Sequence, residues 1–412
     1  MRSPRLLLFA AALLLSRSAL LADDDASPTP TPPATPEALA DIANFSNMAH
    51  SAVDINDLAQ AEKYYAKLLD VDAPDEAKKT ALFDMFDSYR THQVYSKAIA
   101  VGETIHQLFP ADPETPDLLL KLGQLYRDTG AYQLAIARFY NVLNAALRVD
   151  QAQFAKYKAY STQAQFEIAQ TFVTSGDYQQ AARTYSMLDR LDLSPEEKAH
   201  TEFQVAYCTF LTHDFAGAVS AAQQFLETYG DSQYAPQCHY LLSVALRALG
   251  RADAASDETL TLLKMSKSLS GHDAAEWTYW QKKTGNQLAN EFYQSGDYLR
   301  GLAIYQAMAK LGDNPDWQWP VIYQVGLCFE RLLLPDRAAE AYHYILDASN
   351  KVLSGGTPLD QDLTELTHMA DWRSKHLEWK DGAETQLAEL LGPTAGADAL
   401  RPTRSPTQSV TP

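Results

Sequence analysis

Eight times between residues 41 and 350 one residue stands twelve positions ahead of a small one, and this recurrence limits the chain more than any other feature. The downstream members are Ala61, Ala98, Ala135, Ala181, Ala218, Ala255, Gly301 and Ala338, at intervals of 37, 37, 46, 37, 37, 46 and 37. Their upstream partners are Ala49, Phe86, Gly123, Ala169, Ala206, Ser243, Ala289 and Gly326, all small except Phe86. Small residues at a fixed offset let two helices cross closely. In the stretch from Leu122 to Phe139, Leu122, Tyr126, Tyr132 and Phe139 fill the space around Gly123 and Ala135, and Asp128-Thr-Gly130 supplies the turn. Gly130, Gly176, Gly250 and Gly296 fall in equivalent turns, where a left-handed backbone costs glycine least. Such hairpins cannot bury their apolar faces alone and must stack in series. Nothing in the chain alternates with the period of a strand.

These residues match the tetratricopeptide repeat. The expected fold is all-α: a right-handed α-solenoid of about eight such helix pairs with a C-terminal capping helix. The unit of 37 residues exceeds the common repeat of about 34. Two joints, near Ala146 to Lys158 and Leu263 to Trp277, carry nine more, as a longer helix or an inserted turn. The junction from Phe225 to Gly250 resembles those of bacterial envelope members of the family, namely the periplasmic division coordinator of the Tol–Pal system and the outer-membrane assembly lipoprotein of this fold. There a helix ends in an aromatic-Pro-x-Ser turn, followed by Ala-Pro and a new Tyr-x-Leu-Gly helix. Here Gly230 replaces the proline, Cys238 an alanine and Ser243 the glycine. The resemblance implies an exported scaffold that binds other proteins.

Five segments are expected. Residues 1–22 read as a signal peptide, with Arg2 and Arg5 ahead of a ten-residue apolar core and a cut after Ala22, or alternatively after Ser18. No cysteine follows the core, which argues against a lipid anchor. Residues 23–38 form a Pro/Thr-rich linker, 39–350 the solenoid, 351–391 capping helices and 392–412 a disordered Pro/Thr-rich tail. The capping region is expected to break at Asp381-Gly382. No later run is long enough to cross a bilayer. The expected address is therefore periplasmic, possible secretion included, without direct membrane insertion.

Charge narrows the partners. The net charge is −18, and −21 once the arginines at positions 2, 5 and 17 leave with the signal. Phosphate neutralisation needs a cationic excess, so nucleic acid is excluded as a general partner. The remaining partner class is an envelope protein or peptide segment; oligomeric state is not legible. Cys208, Cys238 and Cys328 are odd in number and out of phase for pairing, so free buried thiols are expected.

No catalytic, metal or cofactor constellation is present: no His-Glu-x-x-His pair, phosphate loop or nucleophile elbow. The protein is read as a non-enzyme with no cofactor. Candidate contacts come from the concave face of first helices. Arg90, Arg127 and Arg247 share one phase, and either present a positive stripe to a carboxylate-bearing peptide or pair with Asp87 and other acids. Tyr207, Phe210 and Tyr293 either anchor an apolar side chain or pack in the core. Asn290 resembles the asparagine that holds a peptide C-terminus in some relatives. Trp317 and Trp319 sit at a repeat junction, where one should pack beneath the next helix and the other face a partner. A second reading makes the C-terminal tryptophans a glycan-stacking surface.

Overall fold

The computed structural model describes residues 35–146, 154–265 and 274–391. The expected signal peptide, most of the linker, the tail and the middle of both long joints lie outside these residues. Seventeen helices, and no strand, are found among the described residues. They form eight pairs: α1 Pro36–Asp54 with α2 Leu58–Asp70, α3 Asp75–Thr91 with α4 Tyr95–Leu108, α5 Thr115–Asp128 with α6 Tyr132–Ala146, and α7 Phe154–Ser175 with α8 Tyr178–Leu188. Then come α9 Pro195–Leu211 with α10 Phe215–Tyr229, α11 Ala235–Ala248 with α12 Ala252–Lys264, α13 Ala274–Gln294 with α14 Tyr298–Met308, and α15 Pro315–Arg331 with α16 Pro335–Ser354. A last helix, α17 Gln361–Leu391, packs on α16 and α15.

The chain divides into two compact units, Met1–Leu118 and Leu119–Pro412. In the first, α1 packs on α2 and α3, and α3 on α4. In the second, each pair packs on the next, and first helices also meet directly, α9 on α11 and α11 on α13. This is the stacked α-solenoid that the spacing predicts.

The eight turns within pairs share one geometry. A left-handed residue stands five positions before each downstream small residue: Asn56, Gln93, Gly130, Gly176, His213, Gly250, Gly296 and Leu333, with φ between 59° and 84°. Its carbonyl-side neighbour closes the helix below. The Asp177 amide donates to Phe172 O at 2.9 Å, and Asp297 to Phe292 O at 2.8 Å, the back-bonds that satisfy orphan carbonyls at a helix end. In four turns that neighbour is aspartate, and Asp57, Asp177, Asp214 and Asp297 then cap the second helix through their side chains. One residue thus ends a helix and the next begins another.

In five of the eight pairs the residue sixteen positions after the upstream small one is a ring that fills the crossing: Tyr65, Phe139, Tyr185, Tyr305 and Tyr342, all buried. A Cβ on Gly123 would overlap the Phe139 ring, and one on Gly326 would lie 2.5 Å from the Tyr342 ring. Opposite Ala206 and Ser243 the place is held by the smaller Ala222 and Thr259, also buried. In the eighth pair the first helix carries Phe86 and the second Gly102, both buried. Volume at the crossing is kept while its source changes sides.

Three expectations change. α1 begins at Pro36, inside the stretch read as linker, because Thr35 caps it and a first-turn proline lacks only a donor the helix would not use. α16 runs on to Ser354. α17 continues through Asp381 and Gly382 without a break, since one glycine costs only about 1 kcal/mol. The two long joints lead into α7 and α13, of 22 and 21 residues, against 17 for α3, α9 and α15.

Candidate functional site

Two hollows open on the first-helix face of the Leu119–Pro412 unit. The larger, about 750 Å³, lies among α5, α7, α8 and α9 and includes Arg127, Lys158, Gln163, Glu167, Gln170 and His200 in its wall. The smaller, about 250 Å³, lies among α9, α11 and α13, with Tyr207, Phe210, Tyr240, Trp280 and Lys283 around it. Helix α9 serves both, His200 facing one and Tyr207 the other. Seven residues of helix separate these by roughly 10 Å along the axis. Both hollows lie against the two elongated helices: Ala155 and Lys158 of α7 wall the first, Trp280 of α13 the second.

The larger hollow is polar and balanced. Arg127 bonds Glu167 through Nη1, and Gln124 Nε2 donates to the same carboxylate at 2.6 Å. Lys158 faces Asp192 at 3.2 Å. Tyr185 donates to Gln170 Oε1 at 3.4 Å. His200 sits among the rings of Phe166, Tyr185 and Tyr234, with centroids 5.9, 6.0 and 5.4 Å away. Burial there pushes its imidazole below the ordinary value of 6.5. The unfolded chain therefore takes up this proton first on acidification. The stability His200 allows is complete above about pH 6.5 and declines as pH falls toward the lower folded value. Midpoints of thermal unfolding between about pH 7.5 and 5 should fall less for His200→Phe than for the natural chain; parallel profiles would contradict this.

The smaller hollow is aromatic. Tyr240 and Trp280 lie 5.3 Å apart, and Lys283 Nζ rests 5.1 Å from the first ring and 4.5 Å from the second. Tyr240 donates to Gln287 Oε1 at 2.9 Å, which fixes its ring. Phe203 and Phe215 back Tyr207 and Phe210.

The structure sorts the residues singled out in the sequence. Tyr207 and Phe210 share the aromatic hollow. The three arginines do not form an open stripe. Arg90, in the other unit, pairs with Asp87 at 3.1 Å; Arg127 is held by Glu167; Arg247 donates to Ser295 at 3.1 Å and lies 4.9 Å over Phe292. Equal phase gave equal position, but the partners differ: Asp87 lies on the same helix as Arg90, whereas Glu167 and Ser295 come from later pairs. Asn290 accepts from the Tyr305 hydroxyl, as Gln170 does from Tyr185, so its carbonyl satisfies a buried phenol. Tyr293 accepts from Arg331 Nε at 3.3 Å. Trp317 is half-buried, its indole N–H on Met308 O at 3.2 Å, with Lys282 over its ring. Trp319, 2% exposed, is core between α15, α16 and α17 and reaches no surface. The glycan reading thereby loses Trp319 as a stacking surface, while Trp372 and Trp379 stay exposed on α17. Lys158, Gln163, His200, Tyr240, Trp280 and Lys283 were not singled out. No spacing signal marks them: His200 and Tyr240 stand on helices of ordinary length, and the others lie upstream of the positions that the repeat pattern reads.

Among the described residues no group of His, Cys, Asp and Glu is placed to hold a metal ion, and no helix is long and apolar enough to cross a membrane. Cys208, Cys238 and Cys328 are free and buried, and burial pushes the Cys208 and Cys328 thiols up to about 12.

Helix pairs repeating one turn and one packed crossing define a tetratricopeptide-repeat protein. More particularly, residues 158–268, which include the whole of the Tyr207 helix α9 and the Phe225–Gly250 junction but end before the Trp280 helix α13, match the family described as YfiO, outer membrane lipoprotein. That match covers roughly a quarter of the chain. No curated protein matches. Among solved structures, a tetratricopeptide repeat protein from Parabacteroides merdae is 14% identical, covering 71% of this chain and 98% of its own, with a TM-score of 0.38. The apo form of RapI is 10% identical over 74% of this chain and 99% of its own, also at 0.38. MamA is 16% identical over 49% of this chain and 97% of its own, at 0.33. The class rests on this chain's own helix pairs rather than on these superpositions.

Proposed function

We propose that the protein is a non-catalytic scaffold of the bacterial envelope, acting in the periplasm, which holds an extended segment of another envelope protein on its first-helix face. The observation that carries this is the pair of hollows sharing α9. An extended chain advances about 3.3 Å per residue, so the roughly 10 Å between them corresponds to about three residues. The larger hollow offers amide groups and paired charges of both signs, which suit a peptide main chain. The smaller suits one apolar or aromatic side chain, its rings already ordered by Tyr240–Gln287 and Lys283. The envelope address draws on the outer-membrane lipoprotein family that residues 158–268 match.

Arg127 is a poor probe of this reading, because reversing its charge would set two carboxylates together. Trp280→Ala with Tyr207→Ala is a cleaner one, since both side chains face the hollow. Captured partners from envelope extracts should be lost or bind about 30-fold more weakly to this double variant, with helix content unchanged. Retention of every partner at natural affinity would refute the assignment.

A further inference from the structure

Helix α17 is apolar on two opposite faces. At 100° per residue, Leu363, Leu366, Ala370 and Ser374 fall on one side, buried against α15 and α16. Met369, Trp372, His376 and Trp379 fall on the other, and Trp372 and Trp379 are 60% and 69% exposed. The outward row continues beyond the packed part of the helix to Leu390, 84% exposed. Its spacing is a heptad: Met369, His376, Ala383 and Leu390 at one position, Trp372, Trp379 and Gln386 at the other. The rings are already aligned, His376 stacking on Trp372 at 5.2 Å and lying 6.0 Å from Trp379. From Glu378 to Leu390 almost every residue is exposed, and a helix that length is marginal in water without a partner.

We propose that this seam pairs with the same seam of a second copy, antiparallel, so that α17 is the two-fold interface of a homodimer. Direction follows from charge. A parallel pair in register sets Lys375 of each copy against Lys380 of the other. An antiparallel pair centred on Asp381 brings Trp379 opposite Ala383 and Trp372 opposite Leu390, larger against smaller, and sets Lys375 within two residues of Glu389 twice over, against a single approach of Lys380 to its own copy. Gly382 then lies at the centre, where nothing of its own chain is within 4 Å. α15 and α16 pack on the opposite side of the helix. With two tryptophans, a histidine, a methionine and a leucine per copy, the pair buries roughly 1,200–1,400 Å² in total, within the range of stable complexes.

Sedimentation equilibrium or light scattering of the mature chain is expected to show a dimer at about 100 μM and dissociation in the micromolar range. Trp372→Glu with Trp379→Glu should leave a monomer of unchanged helix content, since neither side chain is in the core. Lys375→Glu alone should weaken the dimer roughly tenfold, and Lys375→Glu with Glu389→Lys should restore it. A natural chain that stays monomeric, including one that covers the seam with its own residues beyond 391, overturns the proposal. So does a dimer that the double tryptophan variant leaves intact, or a charge swap that fails to restore.

Discussion

Gly123→Phe is expected to cost about 3 kcal/mol or more, because its ring would claim the space that Phe139 fills at 0% exposure. Helix propensity works the other way, since replacing a mid-helix glycine gains up to about 1 kcal/mol, but overlap with a ring that cannot move aside outweighs it. Phe139→Gly alone should cost about 3–5 kcal/mol by opening a cavity. The informative variant carries both changes, because Gly102 opposite Phe86 shows the same crossing built the other way round. Urea unfolding of the two single variants and the double should reveal a coupling of about 2–3 kcal/mol in favour of the double. A double variant as unstable as the sum of its parts would mean that the crossings are not interchangeable.

The second large effect belongs to Trp319→Ala. The indole is enclosed by Ala338, Tyr342 and Ile345 of α16 and Leu363, Leu366 and Ala370 of α17, so its loss should cost about 3–5 kcal/mol. In a stacked array that loss is local. Hydrogen exchange is expected to quicken in α16 and α17 while α9 to α12 keep their protection. Uniform acceleration through the Leu119–Pro412 unit would show instead that it unfolds all at once.

The fold was largely legible because its signal is repeated. A small residue every 37 or 46 positions marks a steric requirement, and eight occurrences of it outweigh the ambiguity of any one. Phe86 looked like a failed match only because the pattern was read on one helix; including the position sixteen residues on turns it into a compensated exchange. The site was far less legible. Phase along a helix says which way a side chain leaves the axis, and on that basis Tyr207 and Phe210 belong on one face, where both line the aromatic hollow. It does not say what that side chain meets. Glu167 comes from the next pair, so the commitment of Arg127 is invisible within its own repeat. Trp280 and Lys283 lie nine and six residues before Ala289, upstream of every position that the small-residue pattern uses, so that pattern says nothing of them. The continuity of α17 through Gly382 was missed because a glycine is weak punctuation when its neighbours all favour helix.

The shared turn bears on how such a chain can change in size. A block that follows one left-handed residue and ends on the next, residues 214–250 for example, is preceded and closed by the same backbone state, at His213 and at Gly250. Removing or duplicating it would join two ends that already superimpose, with no new connection to be invented. Reach, and with it the length of guest segment that can be accommodated, is then the property this architecture can vary with least rearrangement.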